Sequence, residues 1–124
     1  MHEIEIIYIE DDLLEAELFT MGMEPRGIHV FHFPDADEDT LRALHTPRYQ
    51  SARAIFVDLW IGVVNGIDVV RMLRQRGDIR PMFLLTAGQR PDRATLESLD
   101  LMYIQKPVDY KMLSGLINSL PVLQ

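Results

Sequence analysis

The stretch Ala54-Ile55-Phe56-Val57-Asp58-Leu59-Trp60-Ile61-Gly62-Val63-Val64-Asn65-Gly66 decides the fold. Its first four residues are an apolar run of strand length, and the fifth is a carboxylate, so a buried strand delivers Asp58 to its own end. Residues 59–64 stay apolar, the composition of a loop that covers a site rather than one that only connects elements. Asn65-Gly66 then supplies a turn and opens the next helical pattern.

Upstream, Ile4, Ile6, Ile7, Tyr8 and Ile9 form a strand covered on both faces, and it ends in Glu10, Asp11 and Asp12. From Leu13 the period changes. Leu14, Leu18 and Met21 share a helical face, Asp12 and Glu15 have the spacing of an N-terminal cap, and Gly22 is placed to close the helix. Ile28, Val30 and Phe31 to Phe33 form another strand, which His29 and His32 make half-polar, as suits a sheet edge. Acidic residues 35–39 with Leu41 and Leu44 suggest a short second helix, and residues 47–53 read as polar loop.

Downstream, Ile67, Val70, Leu73 and Arg74 continue a helix from Gly66 to Gly77. Residues 82–85 are a strand finishing at Thr86, and Pro91 suits the first turn of a fourth helix running to about Leu99. Met102, Tyr103 and Ile104 make a fifth strand ending at Gln105, Lys106 and Pro107. Val108, Met112, Leu113, Leu116, Ile117 and Leu120 then give a last helix stopped by Pro121. Arg71, Arg74, Arg76 and Arg80 read as a solvated helix face and loop, and His2, His29, His32 and His45 lack ligand spacing.

Composition narrows the classes. With 124 residues, 48% hydrophobic and 25% charged, residues 1–124 fit one soluble domain with no output domain attached. Met1-His2-Glu3-Ile4-Glu5 has no signal-peptide pattern and no apolar run spans a bilayer, so the expected location is the cytoplasm, with no membrane contact. The absence of cysteine excludes disulfides, thiolate zinc sites and thiol catalysis. A net charge of -7 repels a phosphate backbone, so partners are sought among proteins and metal cations rather than nucleic acids.

Five strands, each followed by a helix, imply an α/β doubly wound parallel sheet with five flanking helices. Ligands bind such sheets outside the carboxyl ends of the strands, and those ends carry Glu10, Asp11, Asp12, Asp58, Thr86 and Lys106. Crowded carboxylates are costly to ionise unless a cation sits among them, and a hard ion such as Mg²⁺ answers that with coordination positions left for phosphate oxygens. Lys106, one of two lysines in the chain, can neutralise a transferring phosphoryl group, while Thr86 can bond another of its oxygens. Asp58 then becomes a nucleophile that accepts phosphate as an acyl phosphate. Asp12 is better read as a helix cap than as a ligand.

The ordered set, Glu10-Asp11, Asp58 with Gly66 downstream, Thr86-Ala87 and Lys106-Pro107, resembles the receiver domain of response regulators in two-component signalling, over residues 4 to about 120. The resemblance implies the CheY-like, flavodoxin-like strand order 2-1-3-4-5. It implies Asp58 as phosphoacceptor, with Asp11 and the Trp60 carbonyl beside it around Mg²⁺ and Glu10 acting through water. It also implies phosphoryl contacts from Thr86 and Lys106, and Tyr103 as the aromatic switch.

The implied partners are a sensor histidine kinase or histidine phosphotransfer protein, and a downstream protein target or output domain. Phosphorylation would switch the face made by the fourth helix, fifth strand and fifth helix, through which receivers often also pair as homodimers. The resemblance makes the chain a signalling phosphoacceptor that promotes its own phosphorylation and dephosphorylation rather than an enzyme with a separate substrate. Two features depart from the family pattern: Gly62 stands where a loop proline is usual, and Trp60 is large for its position beside the phosphoryl group. That second position and Gly88 influence phosphate lifetime in the family.

Readings from other classes stay open. One is a receiver-like interaction module that is never phosphorylated. Another is a Mg²⁺-dependent phosphatase with Asp58 as nucleophile, although Trp60 stands where such enzymes commonly place a second acid. A flavodoxin-like electron carrier shares the layout, but the turn after the first strand is acidic where a flavin phosphate wants backbone amides.

Overall fold

The computed structural model describes residues 4–121; Met1-His2-Glu3, read above against a leader and ligand spacing, lie outside them. In chain order the elements are β1 (Ile4–Ile9), α1 (Leu13–Met23), a 3₁₀ turn (Glu24–Arg26), β2 (Ile28–Phe33), α2 (Glu38–Ala43) and α3 (Pro47–Gln50). They continue with β3 (Ile55–Asp58), β4 (Trp60–Ile61), β5 (Val64–Asn65), α4 (Gly66–Gln75), β6 (Met82–Thr86), α5 (Arg93–Ser98), β7 (Leu101–Gln105) and α6 (Tyr110–Asn118). The central sheet is parallel throughout, in the order β2-β1-β3-β6-β7, which is 2-1-3-4-5 when its own strands are counted. β2 sits at an edge, as its half-polar pattern implied.

Strand periodicity divides the core between the faces. Ile7, Ile9, Ile55, Val57, Met82 and Leu84 pack with Leu41, Val69, Val70, Leu73 and Leu96 from α2, α4 and α5. Ile6, Tyr8, Phe56, Phe83 and Leu85 pack on the other side with Ala16, Phe19, Met23, Leu113 and Ile117 from α1 and α6. Phe19 is nearly fully buried, with ring centroids 4.4 Å from Tyr8 and 5.5 Å from Phe56.

Several local expectations are corrected. The apolar face that α1 buries is Ala16, Phe19 and Met23, whereas Leu14, Leu18 and Met21 are exposed. Both faces have helical period, so periodicity alone could not choose between them. Gly22 lies inside α1, where an added Cβ would come within 2.5 Å of the Tyr110 ring, and the chain turns instead at Gly27 with φ +81°. Residues 47–53 include the one-turn helix α3, making six α-helices among the described residues. Pro91 precedes α5, because Asp92 takes the cap position by accepting the Thr95 N–H at 2.8 Å.

The loop after Asp58 is also more ordered in its hydrogen bonding than a plain connection. β4 and β5 pair antiparallel, Trp60 with Asn65 and Ile61 with Val64, around Gly62-Val63. Gly62 has φ +60°, the positive value a two-residue hairpin takes at its first central residue and one that proline's ring forbids. Asn65 is a helix cap rather than a turn residue, accepting the Ile67 N–H at 2.8 Å.

Candidate functional site

Sheet register fixes the site. Ile9 is level with Val57, which sets Glu10 level with Asp58; Asp58 pairs with Leu85, and Thr86 with Gln105. The Lys106 N–H donates to the Thr86 carbonyl at 3.0 Å, so the lysine leaves the sheet one step beyond the acids. Gly66 closes the floor: its N–H donates to the Leu59 carbonyl at 2.7 Å, and a Cβ there would collide with the Asp58 carbonyl oxygen. The Lys106-Pro107 peptide bond is cis.

By strand alternation Glu10 and Asp58 follow Tyr8 and Phe56 toward α1, which brings a third acid to them. Glu10, Glu15 and Asp58 each place an oxygen within 4.8 Å of the others. Lys106 Nζ meets this group at three distances: 2.5 Å to Asp58 Oδ1, 2.6 Å to Glu15 Oε2 and 3.9 Å to Glu10 Oε2. Its contact with Glu15 is an aligned hydrogen bond, whereas Asp58 Oδ1, although buried, has no aligned hydrogen-bond partner. The Asp58 contact is therefore mainly Coulombic.

Glu10 is 1% exposed and held on several sides. Its Oε1 accepts the Asp12 N–H at 2.9 Å, its Oε2 accepts the Tyr8 hydroxyl at 3.3 Å, and its backbone carbonyl lies 2.6 Å from His32 Nε2. Burial, with Asp58 close by, pushes the Glu10 carboxyl up to about 8. Asp58 is also raised, mainly by burial, which outweighs the opposing pull of Glu10 and Lys106. Lys106 is raised too: burial opposes its charge, but the attraction of the Asp58 and Glu15 carboxylates wins. The Tyr8 phenol is held far above its ordinary value by burial and then by Asp58 and Glu10.

Glu10 and Asp58 suit a hard divalent cation, which would relieve the carboxylate repulsion and satisfy the orphaned Asp58 oxygen, whereas the Glu15 carboxylate is already engaged by Lys106. The structure brings together Glu10, Asp58 and Lys106 from the sequence-read set, and adds Glu15, which sequence reasoning assigned to helix capping alone. Asp11 is exposed, outside that close carboxylate group, and its Oδ2 would lie 4.0 Å from a Cβ at Gly62. Asp12 caps α1, accepting the Leu14 and Glu15 N–H groups.

A space of about 520 Å³ beside Asp58 is bordered by Glu15, Trp60, Thr86, Gly88 and Lys106, with the Trp60 ring largely exposed on β4. Thr86 is buried, and its hydroxyl accepts the Gly88 N–H at 2.9 Å, leaving its own O–H to be donated. Tyr103, half-buried on β7, packs against the same core as Leu84, and the Arg90 guanidinium carbon lies 5.9 Å from its ring centroid.

No family model matches the sequence. The chain is 30% identical over 114 residues to a probable transcriptional regulatory protein of Picosynechococcus, covering 87% of this chain and 45% of that protein. It is 31% identical over 120 residues to the two-component response regulator PhoP of Pseudomonas aeruginosa, covering 94% and 51%. The chain thus spans about half the length of these relatives. Solved structures with the same fold include the Vibrio cholerae chemotaxis protein CheY4 (TM-score 0.78, 16% identity, 95% of this chain and 98% of that one). A CheY-like response regulator receiver domain from Methylobacillus flagellatus also has a TM-score of 0.78, at 22% identity, covering 95% and 98%. No helix among the described residues is long and apolar enough to cross a membrane.

Proposed function

The chain is a receiver domain of the response-regulator family, and from that premise we propose that it accepts a phosphoryl group on Asp58 from a phosphohistidine and thereby switches a partner-binding face. One observation carries the reading: a strand-end carboxylate lies 2.5 Å from a lysine, among further acids, at the carboxyl edge of the sheet.

In the transfer an Asp58 oxygen attacks phosphorus, the bond from phosphorus to the donor nitrogen breaks, and its electron pair stays on the imidazole. Lys106 neutralises charge on one phosphoryl oxygen, and the Thr86 hydroxyl donates to another. Asp58 and Glu10, with Asp11 and the Trp60 carbonyl by resemblance, would hold Mg²⁺, which supplies charge neutralisation when bound. Thr86 and Tyr103 belong to the same side of the sheet, so drawing Thr86 toward the phosphoryl group would repack Tyr103 and alter the face made by α5, β7 and α6. The donor is a histidine kinase or phosphotransfer protein; the recipient of the signal is a protein target or output domain.

Intact-protein mass after incubation with Mg²⁺ and acetyl phosphate tests this. One added phosphoryl group that requires Mg²⁺ and is absent in Asp58→Asn is the expected result. An Asp58→Asn protein labelled to the same level would overturn the assignment, and no adduct on either protein would favour a constitutive interaction module.

A further inference from the structure

Asp12 and Glu15 have capping-box spacing, in which the acid at the third helical position turns back to the N-cap N–H. Here that N–H is already taken by Glu10 Oε1 at 2.9 Å, and Asp12 caps from its own side by accepting the Glu15 N–H at 3.1 Å. The Glu15 carboxylate is therefore turned to another partner, Lys106 Nζ at 2.6 Å. This is the aligned bond of the lysine, since the closer Asp58 oxygen lacks hydrogen-bond geometry. Glu15 also borders the space where a phosphoryl group on Asp58 would sit.

We propose that Glu15 is a positioning residue that tethers the Lys106 ammonium in the resting state and competes with the phosphoryl group for it, so that Glu15 limits how fast Asp58 is loaded. The inference rests on the reading of Asp58 as phosphoacceptor. A phosphoryl group brings anionic oxygens to an ammonium that already has an anionic partner. The ammonium is held toward Glu15, so turning it to the phosphoryl oxygens weakens that bond, and the Glu15 charge repels the incoming dianion.

Wild type, Glu15→Gln and Glu15→Asp are loaded with acetyl phosphate and Mg²⁺ and followed by intact mass, with Mg²⁺ affinity read from Trp60 fluorescence. Glu15→Gln is expected to load about threefold to tenfold faster, the scale of losing one half-exposed ion-pair partner. Its Mg²⁺ affinity should match wild type, and Glu15→Asp, which keeps the charge, should return toward the wild-type rate. Slower loading together with a tenfold loss of Mg²⁺ affinity in Glu15→Gln would make Glu15 a metal ligand and overturn the proposal. Loading equal to wild type in a protein that does load would overturn it as well, while leaving the reading of Asp58 intact. If wild type takes no phosphoryl group, the reading of Asp58 fails and the loading role of Glu15 falls with it.

Discussion

The Arg80 guanidinium, where the chain enters β6, donates all five of its N–H groups: Nε and Nη2 to Asp78, Nη2 also to the Leu44 carbonyl, and Nη1 to the Tyr49 and Ala52 carbonyls. Arg74 crosses nearby to the carbonyls of Asp78, Arg80, Leu99 and Asp100. At the opposite end, where the chain leaves β7, Lys106 faces three carboxylates and a buried Asp58 oxygen keeps no aligned donor. Both ends bury charge. At one, each donor has an acceptor and the cluster locks the loops around α3 to β6; at the other, negative charge exceeds positive and one buried oxygen has no aligned donor. The difference separates a charge cluster satisfied within the fold from one left open, as the proposed phosphoacceptor role requires.

The largest test is Arg80→Ala. It leaves Asp78 buried without its main partner, so urea unfolding should show a loss of about 3–5 kcal/mol. The fraction that stays folded should still load Asp58. Loss of loading in folded Arg80→Ala protein would break the comparison by tying the two ends together.

The next test uses ion and pH. Mg²⁺ at about 100 times its dissociation constant should stabilise the wild type by about 2.7 kcal/mol, and Asp58→Asn should lose most of that. Without metal, the two ends respond to pH with opposite sign. Asp78 is held below the ordinary carboxylate value: burial opposes this, but its bonds to Arg80 prevail. Its contribution is present above the unfolded value and is lost as pH falls through the folded one. Glu10, raised to about 8, contributes fully below its ordinary 4.5 and loses that contribution as pH rises toward 8. Urea midpoints of metal-free protein from pH 5 to 8 should therefore fall less in Glu10→Gln than in wild type. Parallel profiles would remove Glu10 from the account.

A smaller effect is expected from Gly66→Ala, whose methyl would press on the Asp58 carbonyl. Overpacking of this kind costs about 1–3 kcal/mol. It should also slow loading, because the displaced atom belongs to the proposed acceptor residue itself.

The two ends were not equally legible in the sequence. Asp58, Glu10 and Lys106 directly follow apolar strands, so period and strand order alone bring them to one edge. Arg74 and Arg80 look like surface charges in sequence; Arg80 is buried because it meets the Leu44 carbonyl, at the end of the segment read as a short helix, and the Tyr49 and Ala52 carbonyls, from a segment read as loop, 28 to 36 residues away. No local pattern encodes such a meeting. Glu15 fell between the cases: its cap spacing was visible, but its release toward Lys106 depends on Glu10 occupying the Asp12 N–H. The buried face of α1 was unreadable for another reason, since Leu14, Leu18 and Met21 repeat as regularly as Ala16, Phe19 and Met23.

The smallest test sharpens the comparison within the site end. Gly62 carries φ +60° at the tip of the hairpin that bears Trp60, with Val63 beside it almost wholly exposed. Little of the core rests on this tip, so Gly62→Ala should cost about 1 kcal/mol, the strain of a Cβ at positive φ, seen as a small drop in the urea midpoint. Loading should respond more than stability, because Trp60 borders the space beside Asp58 and its strand pairs across that turn. A stability loss as large as that of Arg80→Ala would mean the hairpin braces the fold, and the site end would no longer be the part of the molecule left unsatisfied for chemistry.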